Sequence, residues 1–217
     1  MSSKVSIMAK NELVVALVLS LSLFGFTSAG DPDILTDFVV PPNVNISNID
    51  GNFFTFTGMR SILGSNPPTA FTVTKASAKE FPALEGQSVS FAVLQFPASS
   101  VNPPHTHPRG SELLFLIYGS LQVGFVDTTN KLFTQTLQAG DMFIFPKGLV
   151  HFQYNFNQTD SAVAVSAFGS ASAGLVSVPV AVFETNIDDG ILAKSFNTNV
   201  TTIQALKAGL APPPTKP

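Results

Sequence analysis

The sequence predicts a mainly β, single-domain protein, built as an antiparallel sandwich or barrel and followed by short C-terminal helices. The 217 residues are 45% hydrophobic and 12% charged, with 20 Phe, 15 Gly and 16 Pro, and this composition favours strands and turns over long helices. Short apolar segments recur between turn signals from about residue 70 to residue 182. Beyond residue 184 the pattern changes to two stretches with helix start and stop signals.

Charge and cysteine content exclude several classes of function. The formal net charge is −3 and no basic run is present, so we expect no nucleic-acid partner. The sequence contains no cysteine, which excludes disulfides, thiolate metal sites and a cysteine nucleophile. A domain of this size can be stable by burial alone.

The first 29 residues are typical of a secretory signal peptide. Lys4 and Lys10 precede an apolar run over residues 13–26, and the small residues of 27–29 follow it. A membrane anchor is the alternative, but this run is shorter than the roughly 20 residues that span a bilayer. We therefore expect cleavage near Ala29 or Gly30, and no membrane association afterwards.

Three Asn-x-Ser/Thr triplets agree with export. They begin at Asn45, Asn157 and Asn199, and each is a possible glycan acceptor if it is exposed in the secretory pathway.

Three regions follow the predicted signal. Residues 30–68 are rich in Pro and Asn, contain a strand candidate at 53–56, and are expected to pack on the core as an extension. Residues 69–183 carry the predicted barrel, in which Gly119 and Ser120 are expected to form a two-residue hairpin turn. The predicted strands are 71–74, 88–96, 113–118, 121–126, 132–137, 142–145, 150–156, 161–168 and 176–182.

Residues 184–217 form the predicted C-terminal helical segment and tail. Residues 188–196 begin with two acids and have a lysine near the end, as in a short helix. A second helix is predicted from the cap-like Thr201 to Gly209.

The most informative stretch runs from Asn102 to Phe115. Alternate residues of a strand point to one face, so His105 and His107 would aim two imidazoles at one point. Residues 108–110 read as a turn, after which Glu112 can start a new strand. Two imidazoles and a carboxylate form a metal-ligand set if a further ligand is available.

His151 is the remaining histidine of the chain. It lies in a second segment in which two predicted strands are joined by a short turn that contains proline and glycine. His151, Gln153 and Asn155 share one strand face, which we expect to point into the barrel. An ordinary surface or hydrogen-bonded imidazole is the alternative for each histidine, and a solvated charge is the alternative for Glu112. The apolar run that follows Glu112 argues against a solvated position.

These two segments resemble the paired motifs of the cupin superfamily. Residue by residue, they resemble the motifs of plant germin-like proteins still more closely. The first motif is matched by the histidine pair, the glutamate and a glycine, and the second by two glycines, a proline, a histidine and an asparagine. The matching residues are His105, His107, Glu112 and Gly119, then Gly140, Pro146, Gly148, His151 and Asn155. The resemblance covers essentially the whole chain after the predicted signal.

The resemblance implies a cupin jelly-roll β-barrel that holds one Mn²⁺ ion. The implied ligands are His105, His107, Glu112 and His151, with room on the metal for water or a small anion. It also implies a homo-oligomer, a hexamer in germins, and location in the plant apoplast. Iron or zinc could occupy the same set of nitrogen and oxygen ligands.

The sequence departs from the family pattern at a few positions. Ser99 replaces the leading glycine of the first motif, and Val39 and Phe54 stand where most germins have a cysteine pair. The N-terminal segment is therefore expected to be held by packing of its phenylalanines. Family oxalate oxidases hold substrate with two asparagines; Asn102 matches one of them, and Ala92 occupies the place of the other.

The resemblance leaves two classes of function. One is an enzyme, either a superoxide dismutase that acts on superoxide at the metal or an oxalate oxidase that releases hydrogen peroxide. Superoxide dismutation needs no second asparagine and is the preferred activity. The other class is a non-catalytic Mn-binding wall or receptor protein.

Overall fold

The computed structural model describes residues 30–64 and 66–210, so the predicted signal peptide lies outside the described residues. The strands are β1 Thr72–Ala76, β2 Ser90–Phe96, β3 Val101–Thr106, β4 Glu112–Tyr118, β5 Ser120–Val126, β6 Leu132–Gln138, β7 Met142–Phe145, β8 His151–Tyr154, β9 Ala162–Phe168 and β10 Val176–Ser177. The α-helices are α1 Val178–Phe183, α2 Asp189–Ser195 and α3 Val200–Leu210.

Two antiparallel sheets form the barrel in the described part of the chain. The first has the strand order β1-β2-β9-β4-β7, and the second has the order β10-β3-β8-β5-β6. The sequence prediction of a mainly β cupin barrel with short C-terminal helices is confirmed. Most predicted strands agree with the observed ones to within two residues at each end.

The core lies between the two sheets and draws side chains from both. Strand β4 shows the pattern, because its side chains alternate between buried and outward-facing positions up to Ile117. The buried cluster contains Ala92, Leu94, Phe96, Leu114, Leu116, Leu121, Val123, Leu137, Phe145, Ala162 and Ala164. Glu112 lies on the same face as Leu114 and Leu116, so its carboxylate enters the barrel at one end of this apolar layer.

The predicted hairpin at Gly119 is wrong. Strand β4 pairs with β7 and β9, whereas β5 pairs with β6 and β8, so the chain crosses from one sheet to the other at Gly119. Gly119 has φ +83°, and a Cβ there would lie 2.6 Å from the Ser161 carbonyl oxygen. This crossing therefore requires glycine for both its backbone conformation and its close approach.

Aromatic contacts occur within the N-terminal extension and between it and residue 81. Phe38, Phe53 and Phe54 form a cluster in which Phe54 lies 5.1 Å from Phe38 and 5.0 Å from Phe53 between ring centroids. Phe56 stacks on Phe81 at 5.5 Å. The strand predicted over 53–56 is wrong, because residues 51–54 form turns.

The strand predicted over 176–182 is also wrong beyond Ser177. Pro179 lies in the first turn of α1, where a missing N–H costs nothing, and so the valines around it continue as helix. The other two helices are confirmed. Asp188 caps α2 by accepting from the N–H of Gly190 and Ile191, and Asn199 rather than Thr201 caps α3 by accepting from the Thr202 N–H at 2.9 Å.

Among the helices of the described residues, none has both the length and the apolar character needed to cross a bilayer.

Candidate metal centre

Strands β3 and β8 bring two of the predicted ligands face to face. Their pairing places Asn102 opposite Gln153 and His105 opposite His151, with a register shift between the two pairs. The shift coincides with Pro103 and Pro104, which have no N–H to donate to the ladder. The rings of His105 and His151 lie 4.2 Å apart between centroids.

The other two ligands follow from the turn after β3. His107 lies just beyond the end of β3, and the chain bends at residues 108–109 into β4, which starts at Glu112 in the opposite sheet. Glu112 Oε2 lies 3.0 Å from His107 Nε2 and 3.1 Å from His151 Nε2. The carboxylate thus completes the cluster from across the barrel.

The four predicted ligands form one buried cluster. One ligand atom from each of His105, His107, Glu112 and His151 lies within 4.8 Å of all the others. Their exposed fractions are 2%, 9%, 1% and 2%. This burial contradicts the alternatives of surface imidazoles and a solvated glutamate.

Backbone carbonyls determine the tautomer of each histidine. His105 Nδ1 lies 2.7 Å from Pro103 O, His107 Nδ1 lies 2.5 Å from Gly174 O, and His151 Nδ1 lies 2.8 Å from Leu149 O. A carbonyl oxygen only accepts, so each Nδ1 carries the proton and donates it. Each neutral ring therefore presents an unprotonated Nε2 lone pair.

The second oxygen of Glu112 is held by neighbouring polar side chains. Ser166 Oγ on β9 donates to Glu112 Oε1 at 2.6 Å, and Gln153 Nε2 approaches the same oxygen at 3.4 Å. Asn102 Nδ2 donates to Gln153 Oε1 at 2.6 Å. A chain of amides thus links half-buried Asn102 to the carboxylate, and Oε2 is left facing the histidines.

Two phenylalanines flank Glu112 and pack on the imidazoles. Phe145 and Phe168 are the strand partners of Glu112 on β7 and β9. Phe145 stacks on His151 at 4.4 Å, and Phe168 meets His107 edge to face at 4.8 Å between centroids. These apolar rings restrict the histidines and keep the polar cluster in a low-dielectric setting.

The protonation states suit metal binding at neutral pH. Burial, reinforced by neighbouring His151, lowers the pKa of His105 from 6.5 to about 4. Burial raises the pKa of Glu112, but contacts with the His107 and His151 imidazoles and the Ser166 hydroxyl outweigh this and lower the pKa from 4.5 to about 2. His105 is therefore neutral and Glu112 anionic.

The donor set fits a metal cation. With every Nδ1–H committed to a carbonyl, His107 or His151 can place a proton between its Nε2 and Glu112 Oε2 only as a charged imidazolium, and a neutral ring has none to place there. Buried lone pairs and a carboxylate oxygen that face one another need a positive charge between them. Three imidazole nitrogens and one carboxylate oxygen are ligands that first-row divalent metals accept.

Other residues singled out in the sequence have different positions. Asn155 is buried, but its Nδ2 donates to the carbonyls of Phe96, Pro97 and Asp160 and so supports a turn. Ala92 is 2% exposed and pairs with Ser166 across β2 and β9. Ala92 therefore lies beside Ser166, whose hydroxyl donates to Glu112, and its own side chain offers no polar group.

The three glycosylation candidates differ in exposure. Asn45 and Asn199 are exposed, and Asn157 is partly buried. Asn45 Oδ1 accepts from Ser47 N–H, and Asn157 Oδ1 accepts from the N–H of Thr159 and Asp160.

Comparison with known proteins agrees with this fold. The cupin family model matches residues 61–204. Germin-like protein 9-3 of Oryza sativa subsp. japonica is 63% identical over 206 residues, which cover 93% of this chain and 96% of that relative. The chain belongs to the germin-like proteins of the cupin family.

More distant relatives of this germin-like protein agree with the assignment. Germin-like protein subfamily 2 member 2 of Arabidopsis thaliana is 35% identical over 212 residues, which cover 91% of this chain and 96% of that one. A solved oxalate oxidase in complex with the substrate analogue glycolate superposes with a TM-score of 0.76 at 29% identity, over 83% of this chain and 98% of that one.

Sequence reasoning missed three residues of this germin-like site, and it placed Gln153 on the inward strand face without predicting its contact with Glu112. Ser166 and Gln153 hold Glu112, and Phe145 and Phe168 pack on the histidines. The contact of Gln153 could have been predicted from the sequence, since this residue lies two positions after His151 on the same strand face. The contact of Ser166 could not, because its position depends on the pairing of β4 with β9.

Proposed function

We propose that this germin-like protein is a secreted manganese protein of the plant apoplast that converts superoxide to dioxygen and hydrogen peroxide. The observation that carries the proposal is the buried convergence of one ligand atom from each of three histidines and Glu112 within 4.8 Å. His105, His107, Glu112 and His151 would hold the ion. Nitrogen and oxygen ligands suit Mn²⁺, and metal analysis of protein purified from plant tissue distinguishes it from iron or zinc.

The charge of the site supports an anionic substrate. Three neutral histidines and one carboxylate contribute a charge of −1, so a divalent ion leaves the centre at about +1. In a buried setting such a charge attracts small anions strongly. The bound manganese would supply one-electron redox chemistry, which superoxide dismutation requires.

The protein's own residues hold the site ready for this chemistry. The carbonyls of Pro103, Gly174 and Leu149 keep the Nδ1 protons in place, so the Nε2 lone pairs need no reorganisation. Ser166 and Gln153 occupy Oε1 of Glu112 and leave Oε2 for the ion. Two superoxide ions and two protons yield one dioxygen and one hydrogen peroxide, and the protons come from solvent.

Oxalate oxidation is the second candidate, and the similarity to an oxalate oxidase bound to glycolate favours it. Asn102 is the proposed contact to a bound anion, although one N–H of its amide already donates to Gln153. Oxalate has two carboxylates to be held, and Ala92 stands where family oxidases have a second amide. Superoxide makes no such demand, and for this reason dismutation is preferred.

Two assays on manganese-loaded protein test the proposal. Loaded protein should consume superoxide, and both metal-free protein and the His105→Ala variant should not. Oxalate-dependent release of hydrogen peroxide would favour the second candidate. Absence of both activities in fully loaded protein would leave a non-catalytic manganese-binding wall or receptor protein.

We also propose a hexamer; one that is built from dimers needs a self-complementary two-fold contact and a further contact that closes the ring. Two apolar surfaces of the single chain support it. One lies on the outer face of β4 and β7 and contains Leu113, Phe115, Ile117, Met142 and Ile144, and the other lies on the C-terminal helices and contains Val180, Ile191, Phe196 and Leu206. Light scattering of the purified protein would measure the assembly.

We further propose that the protein is exported and carries N-linked glycans. The signal-like residues 1–29 and the exposed Asn45 and Asn199 support passage through the secretory pathway, and Asn157 is the third proposed acceptor. N-terminal sequencing of protein from cell-wall fluid should begin near Ala29 or Gly30. Mass shifts on glycosidase treatment would identify the occupied asparagines.

A further inference from the structure

The orientation of His107 depends on a remote part of the chain. His105 and His151 each donate to a carbonyl two residues earlier on their own segment, at Pro103 and Leu149. His107 instead donates to the carbonyl of Gly174, 67 residues away. The position of Gly174 therefore decides which way the His107 ring is turned.

Gly174 belongs to the 169–174 segment, which joins β9 to the residues before β10. On the metal side, Arg109 binds this segment, because its backbone N–H donates to Ala173 O at 3.0 Å and its Nε donates to Ser172 O at 2.5 Å. This contact lies two residues from His107. It connects the segment to the turn between β3 and β4.

On the other side, the carboxylate of Asp31 binds the same segment. Asp31 Oδ1 accepts from Ser170 Oγ at 2.5 Å, and Oδ2 accepts from the Ala171 backbone N–H at 2.6 Å. Ser170 is fully buried. The Asp31 backbone N–H is itself held by Ser88 Oγ at 3.1 Å.

The chemistry of these contacts requires a carboxylate. Each oxygen of Asp31 meets a separate donor, and hydrogen bonds to an ionised acceptor are about twice as strong as neutral ones. An asparagine keeps one oxygen to accept from the Ala171 N–H, but its NH₂ group could then contact the Ser170 hydroxyl only by donating to it, so that hydroxyl would have to reverse its role. Both contacts would also lose the ionised acceptor that makes them strong.

We propose that Asp31 is a positioning residue of the metal centre. It does not approach the metal ligands; it fixes the 169–174 segment, and through the Gly174 carbonyl it fixes the tautomer and direction of His107. The inference rests on the proposed manganese site. It makes the metal affinity depend on a residue of the N-terminal extension, far in sequence from both ligand motifs.

The test compares Asp31→Asn with Asp33→Asn in the full chain expressed in plant cells. Asp33 is an exposed carboxylate two residues further on, and it serves as the matched control. In metal-free protein, hydrogen exchange of residues 169–174 and the ¹⁵N shifts of the His107 ring are measured. In parallel, the Mn²⁺ dissociation constant and the line shape of the bound ion are measured by EPR.

Asp31→Asn should speed exchange at Ala171, alter the His107 ring shifts and weaken Mn²⁺ binding about tenfold, a loss typical of outer-shell substitutions. Asp33→Asn should match wild type. Unchanged Mn²⁺ affinity and line shape in folded Asp31→Asn protein would overturn the proposal, even if its thermal stability fell, because the role would then be structural only.

Two further results keep the outcomes distinct. If Asp31→Asn does not fold, Ser170→Ala removes one donor to the same carboxylate and should weaken Mn²⁺ binding several-fold. Mn²⁺ affinity in Ser170→Ala equal to that of wild type would overturn the proposal.

If wild-type protein binds no Mn²⁺, the proposed function fails. The exchange and ring-shift data then decide whether Asp31 positions His107: wild-type values in Asp31→Asn would contradict it.

Discussion

His105 and His151 lie directly opposite one another on β3 and β8, with their ring centroids 4.2 Å apart. They meet because the ladder shifts register at Pro103 and Pro104, after Asn102 has paired with Gln153. The same pair of strands therefore supplies two of the proposed metal ligands. Its pair Asn102 and Gln153 supplies the amides that lead to Glu112.

Metal-free protein should lose stability as the pH falls from 6.5 towards 4. In this window the unfolded chain binds a proton at His105 and the folded chain does not, so acid favours unfolding. The shift of the His105 pKa from 6.5 to about 4 corresponds to roughly 3 kcal/mol. Urea unfolding of chelator-treated protein across this range would measure the loss.

The matched control for this pH dependence is His105→Gln, which cannot titrate. Its stability should change much less between pH 6.5 and 4. Glu112 has a pKa of about 2 in the folded state and 4.5 as its ordinary value, so its contribution is lost only below pH 4.5. An equally steep loss in His105→Gln would show that another group is responsible.

Replacing Ser166 with Ala should weaken manganese binding by about 10- to 100-fold. Glu112 Oε1 would lose its 2.6 Å hydrogen bond, and the buried carboxylate would be free to turn away from the histidines. Competition with a chelator would measure the affinity. Ser61→Ala, at an exposed serine, is the control, and equal affinity in the two variants would argue against this role of Ser166.

Substitutions at Asn102 and Gln153 should separate substrate contact from ligand support. Gln153→Leu removes a donor to Glu112 and should lower manganese content. Asn102→Ala leaves that donor in place and should retain most of the metal, while slowing the reaction with the anion. Loss of metal in Asn102→Ala equal to that in Gln153→Leu would assign Asn102 to support of the site alone.

Introducing Ala92→Asn tests the preference for superoxide over oxalate. The new amide would lie beside Ser166, at the position that the resemblance assigns to the second asparagine of oxalate oxidases. Oxalate-dependent peroxide release should rise above the wild-type level, at a cost of about 1–3 kcal/mol in stability from overpacking. If the wild type already releases peroxide at the variant's rate, the second amide is not needed and dismutation loses its preference.

The sequence predicted much of the fold and the four members of the buried cluster. Alternation along strands and the turns beside the histidines pointed to His105, His107, Glu112 and His151, because these signals are local, and the resemblance to germin-like proteins grouped them as the proposed ligands of one metal. Prediction failed where the outcome depended on which strands pair. Gly119 reads locally as a hairpin turn, yet it carries the chain between sheets.

Tertiary contacts also explain the other errors and omissions. The valines near Pro179 favour a strand, but the proline is placed in the first turn of a helix. Ser166 reaches Glu112 only through the register of β4 with β9, and Gly174 reaches His107 only through the 169–174 segment. None of these contacts has a signature in local sequence spacing.

Elemental analysis of purified protein tests the central claim most directly. Wild-type protein should contain about one manganese ion per chain, and His105→Ala should contain very little, because one of the converging Nε2 atoms is lost. An exposed substitution such as Ser61→Ala should keep the wild-type content. Manganese content that is the same in wild type and His105→Ala would contradict the metal centre described for these four residues.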